Sequence, residues 1–88
     1  MSPAVTALIA EDEPLLQQEL VEALSKLWPE LDIVGRADNG IDALRLLALH
    51  HPSVLFLDIQ MPGLTGLDVA KQSARSAHVV FVTACDQH

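Results

Sequence analysis

Aromatic side chains make up only 3% of this 88-residue chain, with two Phe, one Trp and no Tyr. A core must therefore be assembled from Leu, Val, Ile and Ala, and so short a chain buries a limited fraction of its surface. The single cysteine, Cys85, excludes an internal disulfide. Basic residues are scarce too: five Lys and Arg stand against twelve Asp and Glu, a net charge of −7. Five scattered cations do not form a phosphate-binding surface, which argues against nucleic-acid recognition by this segment and leaves a basic partner or a cation as the expected ligand. No apolar run is long enough to cross a bilayer. The start, Met1-Ser2-Pro3, lacks the charged and apolar regions of a secretory signal, so a reducing cytoplasm is the expected setting.

What is present is a chain 50% hydrophobic and 19% charged, too apolar for a disordered tail and long enough for one small domain over residues 1–88. Ala4 to Ala10 (AVTALIA) reads as a buried strand ending in the acidic turn Glu11-Asp12-Glu13-Pro14. Pro14 suits a first helical position, and Leu16, Leu20, Ala23, Leu24 and Leu27 follow at the spacing of an amphipathic helix. Trp28-Pro29 stops it. Leu31 to Ala37 is a weaker strand, and Asn39 can cap a second helix from Ile41 to about His50, with Leu44, Leu47 and Ala48 expected inward. Ser53 to Leu57 is a continuous apolar strand closed by Asp58. Thr65, with Asp68 three positions on, can open a third helix. Ala77 to Val82 is a fourth strand ending at Thr83. Alternating strands and helices predict an α/β domain, a doubly wound parallel sheet of four strands with three helices.

In such a sheet the strands present their C-terminal ends along one edge, where ligands bind. The first strand brings Glu11 and Asp12 there, the third Asp58 and the fourth Thr83. Three carboxylates in one place repel each other unless a cation joins them. An all-oxygen set without His or Cys favours Mg²⁺, or Mn²⁺, over zinc. A carboxylate beside such a metal can attack a phosphoryl group, and Asp58 is the best candidate nucleophile. His50, His51, His78 and His88 fall on a helix end, a strand start and a terminus, where caps and solvated side chains are the expected reading.

Taken together, LIAEDEP, LFLDIQMPGLTGLD and VVFVTA closely resemble the receiver (REC) domain of two-component response regulators, from Val5 to Ala84. The resemblance implies a flavodoxin-like receiver fold in which Asp58 accepts a phosphoryl group from a sensor histidine kinase. It further implies that Asp12 binds Mg²⁺ directly, that Glu11 completes the acidic pair, and that Gln60 contributes its backbone carbonyl to the metal. Thr83 is implied as the switch hydroxyl, with Ala84 as its small neighbour. The AEDEP and GRADNG segments are most similar to LytTR-type transcriptional regulators, which implies control of transcription through a separate DNA-binding domain.

The same resemblance implies a further helix, strand and helix beyond the fourth strand, with a phosphate-binding lysine. Lys26 and Lys71 both fall in predicted helices and neither matches it. The expectation is therefore of an incomplete receiver with an exposed fourth strand, able to form a homodimer by edge pairing or by domain swapping. The competing expectation is a non-switching fragment that serves only for oligomerisation.

Overall fold

Four short apolar runs pair as parallel strands because helices between them return the chain to the same end of the sheet each time. The computed structural model describes residues 4–59, 66–73 and 76–82. Its elements are β1 (Thr6–Ala10), α1 (Pro14–Leu27), β2 (Asp32–Ala37), α2 (Gly40–His50), β3 (Val54–Asp58), α3 (Gly66–Ser73) and β4 (His78–Val82). The sheet order is β2-β1-β3-β4, parallel throughout, so the expected architecture of four strands and three helices is the observed one.

Alternation along the strands divides the core between the two faces of the sheet. Leu8, Ala10, Leu55 and Leu57 point one way and pack with Ala43 and Leu47 of α2 and Val69 of α3. Ala7, Ile9 and Phe56 point the other way and meet Leu20, Val21 and Leu24 of α1. The first face is filled with fully buried side chains, whereas α1 contains no buried residue at all.

Local signals set most of the boundaries. Pro14 occupies the first turn of α1, and the Trp28 N–H closes its last turn on the Leu24 carbonyl at 2.7 Å. Asn39 caps α2 as expected: its Oδ1 accepts from the Asp42 N–H at 2.8 Å, and its Nδ2 donates to the Asp42 carboxylate at 3.1 Å. His51 ends α2 in the left-handed region (φ 48°), its N–H bonded to the Leu47 carbonyl. In β2 the pairing steps from Ala7–Ile33 to Leu8–Gly35, leaving Val34 as an extra residue. Glycine at 35 lets α2 lie close over this step, since a Cβ would stand 3.1 Å from Leu8 Cδ1 and 3.5 Å from Leu46 Cδ1.

Two helix faces differ from expectation. On α1 the residues turned to the core are Leu20, Val21 and Leu24, while Ala23 is exposed and Leu27 is 84% exposed. The face is chosen by where Ile9 and Phe56 present their surface, not by the densest run of apolar residues. On α2, Ala48 is exposed, and the buried positions are Gly40, Ala43 and Leu47, with Leu44 packed beside them. The inward stripe centres on 40, 43 and 47, and Ala48 falls outside it.

Candidate functional site at the C-terminal edge of the sheet

β1 and β3 are adjacent central strands, while the chain leaves β1 for β2 on one side and β3 for β4 on the other. The crevice outside their C-terminal ends is thus the switch point of the sheet. Glu11 and Asp12 directly follow β1, and Asp58 closes β3. Carboxylate oxygens of all three lie within 4.8 Å of one another. Residues 46 positions apart in sequence meet because the strands that carry them are neighbours in register, Ala10 beside Leu57.

Glu11 is the pivot of the cluster and is only 4% exposed. Its N–H donates to the Ala37 carbonyl at 2.9 Å, its own carbonyl accepts from Gln17 Nε2 at 3.1 Å, and its Oε2 accepts from the Glu13 N–H at 3.0 Å. Burial pushes its carboxyl from the usual 4.5 up to about 7. The Glu13 N–H opposes that rise, and the charge of Asp58, together with hydrogen bonds to Asp12 and Asp58, adds to it. Asp12 and Asp58 are half-buried, so the cluster opens toward solvent on their side.

The donor set fits a hard divalent cation. Three carboxylates converge with no imidazole or thiolate among them, which suits Mg²⁺ or Mn²⁺. The raised pKa of Glu11 comes first from burial and then from the charge of Asp58, and a cation at the cluster would favour its charged form. The structure therefore brings together Glu11, Asp12 and Asp58. Gln60 and Thr83 lie outside the described residues, as do Thr65, Ala84, Cys85 and His88. Gln17, whose amide joins the ends of β1 and β2, is a site residue that the sequence reading passed over. Its signal was a polar residue at the head of the inward stripe 17, 20, 21, 24.

A doubly wound parallel sheet with carboxylates gathered at its switch point defines an α/β domain of flavodoxin-like strand order. Comparison with known proteins narrows the class. The model of the response regulator receiver domain matches residues 7–88, and the chain belongs to that family. It is 45% identical to an uncharacterized response regulatory protein of Vibrio cholerae over its whole length, covering 35% of that protein. It is 40% identical to the transcriptional regulatory protein YpdB of Escherichia coli over 92% of the chain and 34% of the relative. Among solved structures, the response regulator TrrA of Thermotoga maritima in complex with Mg²⁺–BeF superposes with a TM-score of 0.81 at 31% identity, covering 91% of this chain and 70% of that one. The chain thus spans about 35% of the length of the curated relatives it matches. No described helix is long and apolar enough to cross a membrane.

Proposed function

We propose that this receiver domain is a cytoplasmic phospho-acceptor in two-component signalling, taking a phosphoryl group from a histidine kinase onto Asp58 and passing the signal to an output that controls transcription. The observation that carries the reading is the convergence of Glu11, Asp12 and Asp58 within 4.8 Å at the switch point. Glu11, Asp12 and Asp58, with the Gln60 carbonyl, are the residues that would hold Mg²⁺. When bound, the ion would neutralise charge on the phosphoryl oxygens as the group moves. A carboxylate oxygen of Asp58 attacks phosphorus, an O–P bond forms, and the N–P bond to the kinase imidazole breaks, the leaving nitrogen taking up a proton. Thr83 is proposed as the hydroxyl that responds to the new charge. The domain is modified on its own residue and turns over no separate substrate. The transcriptional output rests on the relatives, one of which is a transcriptional regulatory protein.

The test is intact mass after incubation with acetyl phosphate and Mg²⁺, comparing the chain with Asp58→Asn. A single phosphoryl adduct, absent from the variant and from a sample with chelator, is the expected result. A folded chain that takes no adduct, or a variant that takes it equally, overturns the reading.

The outer position of β4 supports a second element of the proposal, self-association through this edge. Val80 and Phe81 are 42% and 44% exposed on opposite faces of β4, one of the two edge strands of the described sheet, an edge suited to pairing with a second copy. Light scattering is expected to give a mass above the 9.5 kDa of one chain that falls to the monomer in Phe81→Glu. A compact monomer at high concentration rules this element out.

A further inference from the structure

Gln17 sits in the first turns of α1, half-buried, and its side chain does not point to solvent as those of Gln18 and Glu19 do. Its Nε2 reaches two main-chain carbonyls at once, Glu11 O at 3.1 Å and Ala37 O at 3.3 Å. Both are strand-end carbonyls, one just past β1 and the other at the end of β2. The orientation of the amide is settled by its partners, because the flipped form would set an oxygen against two acceptors.

The same two residues are already joined by the Glu11 N–H to Ala37 O bond of 2.9 Å. Gln17 thus closes a small ring: the helix is tied to the turn by its own N–H on the Glu13 carbonyl at 2.9 Å, and to both strand ends by its side chain. Within this ring lies Glu11, held at its N–H, its carbonyl and its carboxylate. Without the amide donor, the Glu11 carbonyl at the buried strand end loses its hydrogen-bond partner, a cost of the kind that makes backbone move.

From this geometry we infer that Gln17 is a positioning residue for the acidic cluster: its amide locks the turn after β1 so that the Glu11 carboxylate faces Asp12 and Asp58. The inference rests on the divalent-cation reading of the site. Gln17 lies outside the carboxylate cluster and acts through the main chain of Glu11. Residues of this kind, one step removed from the donors, tune metal affinity by about tenfold or more.

The test uses the full chain and three variants: Gln17→Met, which keeps the length and removes both donors, Gln17→Ala in case the thioether misfolds, and Leu47→Ala, which weakens the distant core under α2 without touching the site. Mg²⁺ affinity is measured by isothermal titration at a temperature where circular dichroism shows each protein folded. Amide chemical shifts of Glu11, Glu13 and Ala37 are recorded without metal. The expected result is a loss of about tenfold in Mg²⁺ affinity for both Gln17 variants, with displaced Glu11 and Glu13 amide signals, and wild-type affinity for Leu47→Ala. Gln17 variants that bind Mg²⁺ as the wild type does, with unmoved amides, overturn the inference while leaving the site reading intact. Equal losses in Leu47→Ala reduce Gln17 to general stability and overturn it too. A wild-type chain that takes up no Mg²⁺ overturns the site reading, and this inference with it.

Discussion

The two faces of the sheet are built from the same few residue types, yet they are packed very differently. Under α2 and α3, Leu8, Leu55, Leu57, Ala43 and Val69 are sealed from solvent. Under α1, the strand residues Ala7, Ile9 and Phe56 are buried, but the helix that covers them keeps Leu20, Val21 and Leu24 only partly buried. One face is a scaffold and the other is a cover. The acidic site lies at the end of the strands shared by both, and its Glu11 is fixed from the cover side by the first turns of α1.

The largest predicted break in this comparison comes from the scaffold. Leu55→Ala empties a position that is 0% exposed and is expected to cost about 2–5 kcal/mol. In a domain of this size that is a large share of the total stability, and urea unfolding monitored by circular dichroism measures it. A cost below about 1 kcal/mol would mean that the α2/α3 face is no better packed than the α1 face.

The site itself gives the next effect, through pH. The Glu11 carboxyl binds its proton more tightly in the folded chain, at about 7, than at its ordinary 4.5. Folding therefore favours the protonated form: the contribution is fully present below pH 4.5 and is lost as pH rises through 7. On the order of 2–3 kcal/mol of stability should disappear between pH 4.5 and 8 in metal-free protein. Thermal melts across this range, repeated with Glu11→Gln, check it. The variant should flatten the dependence, and Mg²⁺ should raise the melting temperature most at the alkaline end. A wild-type profile with no loss toward pH 8 would contradict the burial argument.

The smallest effect is the most diagnostic for α1. Leu27 is 84% exposed at the last turn of the helix, so Leu27→Ala should change stability by less than about 0.5 kcal/mol. Sequence spacing alone placed Leu27 in the inward stripe, and a cost of about 2 kcal/mol or more would restore that reading.

How much of the molecule was legible in advance depended on how local each signal was. Pro14, the Asn39–Asp42 cap and the carboxylates after the first and third apolar runs act over a few residues, and the corresponding elements formed where they were expected. Helix orientation was less legible. The spacing 16, 20, 23, 24, 27 is a good amphipathic pattern, but it is offset from the stripe 17, 20, 21, 24 that meets the sheet, and this offset is what hid Gln17. Val34 was equally hidden, since an extra residue in β2 is defined only by what β1 offers opposite it.

By itself, then, the sequence determined the order of strands and helices, and with it the arrival of Glu11, Asp12 and Asp58 at one edge, because parallel pairing sends every strand's C-terminal end the same way. Tertiary structure alone decided which side of α1 faces inward, how deeply Glu11 is buried and which amide holds its backbone. These depend on contacts between elements far apart in the chain, where burial, repulsion and hydrogen-bond satisfaction are properties of the assembled neighbourhood and of no single segment.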